Sequence, residues 1–244
     1  MNFLLEVVCF SMQGCVAAQA AGAHRIELCD NESVGGTTPS YGFIKAARQK
    51  LSIPLYCMIR PRGGHFTYDE AELDIMKADI LQCKLLGCDG VVLGILNKEG
   101  HVNTKHCAML ISHAYPMGVT FHRAFDGVAD PEKSLEDIIE LGCERILTSG
   151  GAATAAEGAA TIADLINQAD SRIIVMPGGS IRSDNIISIA EKTGATEFHS
   201  SAKIFLPNEQ LSYKSAPLDA SLNVGVNKVD VKSMLAKLSA LHDV

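Results

Sequence analysis

The sequence predicts an α/β protein built as a single (β/α)8 TIM-type barrel whose last unit is less regular than the rest. Three observations carry this. Eight apolar runs recur along the chain, at 4–10, 25–29, 54–60, 90–96, 118–126, 145–151, 172–179 and 196–201. The segments between them are long enough for a helix, and strand–helix alternation implies parallel strands because parallel neighbours need a crossover. The 244 residues match the length of one closed barrel, with no linker-like stretch before residue 205.

The elements follow in order. The first run, interrupted by Glu6, reads as a strand, because no basic segment precedes it as in a secretory signal; the expected location is cytoplasmic. An Ala-rich helix over 14–21 stops at Gly22, and a helix over 69–86 carries Leu73, Met76, Ile80 and Cys83 on one face before Gly87. Asp130 followed by Pro131 is an N-cap and first-turn pair, and Asp184 is the expected cap of a helix over 185–193. The beat weakens after Ser201. Residues 205–227 read as an irregular arm or lid, and 228–242 as a C-terminal helix with Val231, Met234, Leu235, Leu238 and Leu241 on one face. The whole of 1–244 is one domain.

Composition narrows the function. Hydrophobic residues make up 47% of the chain, with no Trp and 5% aromatics, so the core must be aliphatic, as in strands buried on both faces. The net charge of −7, without a dense Lys/Arg block, argues against nucleic acid and membrane surfaces as partners. No apolar stretch approaches the ~20 residues of a membrane span. The eight cysteines are scattered without a CxxC pair and read as reduced, small apolar residues.

Polar residues gather where a barrel holds its chemistry, at the C-terminal ends of the strands. Side-chain alternation puts Glu6 with Val8, and Glu27 with Arg25 and Cys29, so both glutamates face inward on neighbouring strands. Two such carboxylates need cations, a shared proton or a metal. The cations expected from the sequence are Arg60 and Arg62 after the third strand and His122 and Arg123 on the fifth. Glu6, Glu27, Arg60, Arg62, His122 and Arg123 are the candidate catalytic set for acid–base chemistry. The later strands end in Thr148-Ser149-Gly150-Gly151, Pro177-Gly178-Gly179-Ser180 and His199-Ser200-Ser201. Glycine amides and hydroxyls there suit a phosphate or carboxylate, which makes Ser149, Gly150, Gly151, Gly178, Gly179, His199 and Ser201 the candidate anion cradle. No lysine lies in the strand cores, so a Schiff-base aldolase lacks its nucleophile; Lys203 is the nearest.

The strings Arg25-Ile26-Glu27-Leu28-Cys29, Gly35-Gly36-Thr37-Thr38-Pro39-Ser40, Met58-Ile59-Arg60-Pro61-Arg62-Gly63-Gly64, Thr120-Phe121-His122-Arg123-Ala124-Phe125-Asp126, Ile146-Leu147-Thr148-Ser149-Gly150-Gly151 and Met176-Pro177-Gly178-Gly179 together resemble the CutC family of copper-homeostasis proteins. The resemblance spans roughly 4–205. It implies a cytoplasmic barrel that assembles as a homodimer or homotetramer and takes part in copper ion binding and homeostasis. In relatives, copper is assigned to two inward cysteines near the ends of strands one and two. Cys29 matches the second, and Val8 stands where the first is expected, with Cys9 on the opposite face. Cu(I) at Cys29 and a small anionic ligand in the mouth are therefore the two binding expectations. The alternative function is an enzyme acting on a small phosphorylated or carboxylated metabolite through Glu and His.

Overall fold

A computed structural model describes residues 3–206 and 223–241. Eight parallel strands alternate with helices: β1 (Leu4–Cys9), α1 (Met12–Ala20), β2 (Arg25–Leu28), α2 (Tyr41–Lys50), β3 (Leu55–Met58), α3 (Glu70–Leu85), β4 (Gly90–Leu93) and α4 (Thr104–Ala114) form the first half. The second half holds β5 (Gly118–Phe121), α5 (Pro131–Glu140), β6 (Arg145–Thr148), α6 (Ala159–Ala169), β7 (Ile174–Pro177), α7 (Ile186–Thr193) and β8 (Glu197–Ser200). Each strand pairs with its sequence neighbour, and β1 also pairs with β8. A parallel bridge between Gly178 and His199 joins β7 to β8 and completes the ring.

Local chemistry explains the helix ends. Ser11 accepts from the Gly14 amide ahead of α1, and Asp130 accepts from Lys133 ahead of Pro131 in α5. Asp69 and Glu72 close a reciprocal capping box on α3. The expected cap Asp184 is displaced by one residue. Asn185 holds the N-cap position of α7, and its side chain accepts from the Arg182 amide and donates to the Ser180 carbonyl instead of capping the helix.

After β8 the alternation gives way to an antiparallel ribbon of β9 (Lys203–Leu206) and β10 (Asn223–Val226), followed by α8 (Lys228–Ala240). The expected arm over 205–227 is thus strand at both ends, while its middle, 207–222, lies outside the described residues. Helix α8 buries Val231, Met234 and Leu238 and packs against α1 and α7, taking the eighth position in the helical ring.

Alternation sorts the side chains into two environments. Leu5, Val7, Ile26, Leu28, Leu55, Cys57, Val91, Phe121, Ile146 and Phe198 point outward into one aliphatic core shared with the helices. The inward set is mostly polar or charged: Glu6, Arg25, Glu27, Thr120, Arg145, Glu197 and His199 are all buried, beside a small apolar group of Val8, Cys29, Tyr56, Met58 and Val92. The outer layer carries the hydrophobic stabilisation, which leaves the barrel interior free for chemistry. No helix among the described residues is long and apolar enough to cross a membrane.

Candidate functional site

The floor of the barrel is a closed ionic network. In the β1–β2 register Glu6 stands opposite Arg25, and Val8 opposite Glu27. The Arg25 Nε donates to Glu6 Oε2, and its Nη2 donates to Glu197 Oε2 at 2.7 Å. Arg145 reaches the same Glu197 oxygen at 3.2 Å and Glu144 at 3.1 Å. Both guanidiniums, of Arg25 and Arg145, stack on the Tyr56 ring, 5.3 and 5.0 Å from its centroid, and the Tyr56 hydroxyl donates to Glu144. The cation expected for the inward glutamates was to come from Arg60, Arg62, His122 or Arg123. Glu6 instead takes Arg25 from its own layer, because the register places the two in contact.

His199 links the floor to the mouth. Its Nδ1 donates to Glu6 Oε1 at 2.7 Å, and its Nε2 lies 3.7 Å from Glu27 Oε2. Burial would raise the Glu6 carboxyl, but Arg25 and His199 overcome it and hold the group at about 2. Glu27, one layer higher and without its own arginine, is pushed up by burial to about 7, against the pull of His199. Burial opposes the charged form of His199, yet Glu27 and Glu6 together raise it above the ordinary histidine value. Glu27 and His199 are thus both shifted upward, each favouring its protonated form more than the free side chain does.

Above them a cavity of about 280 Å³ opens at the C-terminal ends of the strands, lined among others by Glu27, Arg60, His122, Arg123, His199 and Ser201. Arg60 is buried and fixed by its two terminal nitrogens, which donate to the carbonyls of Val34 (2.7 Å), Gly36 (2.9 Å) and Gly64 (2.9 Å). Phe66 packs on both the Arg60 guanidinium and the His122 ring, each 4.8 Å away. His122 Nδ1 accepts from the Ala124 amide, which leaves the proton on Nε2. Burial and the Arg60 charge hold this ring neutral, down at about 3. Three buried polar atoms of these walls, Glu27 Oε1, Arg60 Nε and His122 Nε2, have no hydrogen-bond partner among the described residues.

The structure thus brings Glu27, Arg60, His122, Arg123, Gly179, His199 and Ser201 to one cavity, with Glu6 beneath it and Cys29 in the apolar group that includes Val8 and Met58 of its wall. Other expected residues go elsewhere. Arg62 turns to the start of α3, where its Nε meets Glu72 Oε1 at 2.5 Å, because β3 ends at Met58 and inward alternation stops with Arg60. The fifth strand also ends early. His122 caps a 3-10 turn over Arg123–Gly127, so Ala124 drops into the outer core and Asp126 swings toward β6. There Asp126 Oδ1 accepts from Thr148 Oγ1 (2.5 Å) and from the amides of Ser149 (2.9 Å) and Gly151 (3.2 Å). The Gly150 amide donates to Thr148 Oγ1 at 2.8 Å. The cradle expected at Ser149, Gly150 and Gly151 is filled by the protein's own carboxylate. Gly178 donates to the Thr148 carbonyl and serves the ring closure.

Arg25, Arg145 and Glu197 were missed as a network. The available signal was that each is a charged residue at or next to the start of an apolar run. His199, expected in the anion cradle, stands between the two glutamates, bonded to Glu6 and 3.7 Å from Glu27.

The family model described as the CutC family matches residues 3–204. A CutC family protein of Xylella fastidiosa is 51% identical over 199 residues, covering 82% of this chain and 74% of the relative. The human copper homeostasis protein cutC homolog is 50% identical over 202 residues, covering 83% and 74%. Among solved structures, a CutC from Streptococcus agalactiae aligns with a TM-score of 0.79 at 38% identity, covering 82% of this chain and 98% of that one. A phosphoribosylanthranilate isomerase from Thermotoga maritima aligns at 0.59 with 11% identity, a likeness of fold alone.

Proposed function

The chain belongs to the CutC family, and from that premise we propose that it takes part in copper homeostasis and that its barrel mouth binds a small anionic molecule. The family supports the first half, through relatives named for copper homeostasis. The second half rests on three residues that line one cavity, Glu27, Arg60 and His122, each of which keeps a buried polar atom without a hydrogen-bond partner among the described residues. Native proteins pair nearly all such groups, so two N–H donors and a carboxyl oxygen left open together mark the place of a ligand. Arg60 Nε–H and His122 Nε2–H donate to a carboxylate or phosphate oxygen, and Glu27 takes or gives a proton, resupplied by His199.

A second reading, Cu(I) held at Cys29, has one observation in its favour. A point beside Gly36 lies 3.1 Å from Cys29 Sγ and 3.6 Å from the Met58 methyl, so a thiol and a thioether side chain converge there. The fit is poor in other respects. Burial, Glu27 and Glu6 push the Cys29 thiol well above its ordinary range, and Val8 supplies no second sulfur. A cuprous ion favours several soft, ionised sulfurs. From the family resemblance we also infer a cytoplasmic location and a homodimeric or homotetrameric assembly, which light scattering of the purified protein checks.

Calorimetric titration with inorganic phosphate and a panel of small carboxylates and phosphate esters tests the mouth. A ligand bound by wild type is expected to weaken at least ~10-fold in Arg60→Ala and in His122→Phe, in line with the loss of a charge-assisted hydrogen bond. Equal binding by both variants overturns the reading.

A further inference from the structure

A second sulfur-rich place lies outside the barrel, on the outer face of β3 and away from the mouth. Helix α3 ends in a turn that the sequence Cys83-Lys84-Leu85-Leu86-Gly87-Cys88 dictates. Gly87 adopts the left-handed region at φ +76°, the Cys88 amide donates to the Cys83 carbonyl at 3.0 Å, and the Gly87 amide donates to Lys84 at 3.1 Å. This is the Schellman arrangement, in which the side chains of the third-last helical residue and the second residue past the cap meet. Here both are cysteines. The next strand inward contributes a third, because alternation turns Cys57 of β3 out of the barrel toward α3. Cys57 Sγ lies 3.6 Å from Cys88 Sγ, and the three sulfurs all fall within 4.8 Å of one another. Cys57 and Cys83 are fully buried, and Cys88 reaches the surface by 6%.

We propose that Cys57, Cys83 and Cys88 form a trigonal all-sulfur site for a monovalent soft metal ion, Cu(I). This deepens the copper-homeostasis half of the proposed function and is independent of what the mouth binds. The geometry suits the ion. With metal–sulfur bonds of ~2.3 Å, a planar three-sulfur site has its sulfurs ~4.0 Å apart, inside the observed span. The donor set selects as well: three thiols, with no histidine or carboxylate in the group, favour Cu(I). A structural zinc takes a fourth ligand, and none is grouped with these three among the described residues.

The Cys57–Cys88 contact already holds two of the three sulfurs side by side in the metal-free protein. Cu(I) entering the three-cysteine group forms three Cu–S bonds and releases the thiol protons to solvent. No electron is transferred. The resulting negative charge sits beside Arg48, which also holds Asp89 at 2.6 Å.

The test is anaerobic titration of the reduced full chain with Cu(I) against a chromogenic cuprous chelator, with X-ray absorption on the loaded wild type. The expected spectrum has three sulfur neighbours at ~2.3 Å. Cys88→Ser and Cys83→Ser are expected to weaken binding by more than the ~10–100-fold that loss of an outer-shell partner costs, while Cys29→Ser leaves it unchanged. Copper loading of wild type should also slow alkylation of Cys88, the one of the three that reaches the surface, relative to the metal-free chain, a readout that needs no variant to fold. Binding that survives Cys88→Ser and Cys83→Ser but is lost in Cys29→Ser places copper at the mouth; it overturns this site and keeps the copper role. Absence of Cu(I) binding in wild type overturns both.

Discussion

His199 Nε2 stands 3.7 Å from Glu27 Oε2, while the opposite nitrogen of the same ring is tied to Glu6 at 2.7 Å. One imidazole thus touches a carboxylate held ionised and a carboxyl held near its neutral form. The difference between the two glutamates comes from a single layer of the barrel. Glu6 has Arg25 opposite it, whereas Glu27 has Val8.

The raised Glu27 sets the direction of the pH dependence. Its folded-state value of about 7 lies above the ordinary 4.5, so its stabilising contribution is complete below 4.5 and is lost as pH rises toward 7. The raised His199 adds a loss of the same sign above its ordinary 6.5. Chemical denaturation of wild type should therefore show stability falling with pH from about 4.5 upward at this site. Glu27→Gln should flatten that fall by up to about 3 kcal/mol across the window. Parallel profiles for the two proteins would show that Glu27 titrates as an ordinary carboxyl.

Glu6 predicts the opposite limb. Held at about 2, it contributes stability above 4.5 that disappears as pH falls from 4.5 toward 2. Glu6→Gln leaves the buried Arg25 with Glu197 as its one carboxylate and keeps a single acceptor oxygen for Arg25 and His199 to share. The expected cost at pH 7 is about 3–5 kcal/mol, the range for a broken buried ion pair. Urea denaturation of Glu6→Gln beside Glu6→Gln/Arg25→Met measures it. The double variant should recover part of the loss, since the orphaned charge is gone.

Asp126 organises the β6 loop. Its carboxylate gathers Thr148 Oγ1, the amides of Ser149 and Gly151, and Arg123 Nε at 2.7 Å. Asp126→Asn keeps the shape but exchanges one charged acceptor oxygen for an NH2 group that cannot accept. The expected loss is about 1.5–3 kcal/mol per charge-assisted bond removed, less what the remaining oxygen retains. Faster hydrogen exchange should appear at Ser149, Gly150 and Gly151, with the amides of α5 unchanged. Uniform destabilisation without local exchange would mean the loop does not depend on this carboxylate.

The barrel was legible because its evidence is periodic. Each run from 4–10 to 196–201 contains one observed strand, and inward and outward parity came out as alternation requires at Glu6, Val8, Arg25 and Glu27. The site was legible only while alternation lasted. Arg60 continues inward past the end of β3, but Arg62 turns to Glu72, and past His122 the chain winds into a 3-10 turn. Strand parity has no authority over such residues. The Gly-rich ends looked like anion cradles because backbone amides and hydroxyls attract carboxylates, and at β6 the carboxylate they attract is Asp126. The cysteine cluster stayed hidden for a related reason. A five-residue step from Cys83 to Cys88 is no chelating motif on a helix, and only the left-handed cap at Gly87 folds the two thiols together.

Gly94 gives the most local test of the mouth. It follows β4 directly, and the position of a Cβ there is 2.6 Å from His122 Nδ1 and 2.7 Å from Cε1. No side chain fits without moving the imidazole, which is itself wedged against Phe66 and bonded to the Ala124 amide. Gly94 shows no left-handed φ, so an alanine there costs no backbone strain and acts through the ring alone. Gly94→Ala should displace His122, break the Ala124 bond and lower stability by about 1–3 kcal/mol, the usual cost of overpacking. Ligand affinity at the mouth should fall as in His122→Phe, and combining the two substitutions should add little, because both remove the same Nε2–H. Nitrogen-15 chemical shifts of the histidine side chains report the displacement directly. A variant with unchanged His122 shifts and full affinity would show that the ring has room to move and that its open Nε2 is not what holds the ligand.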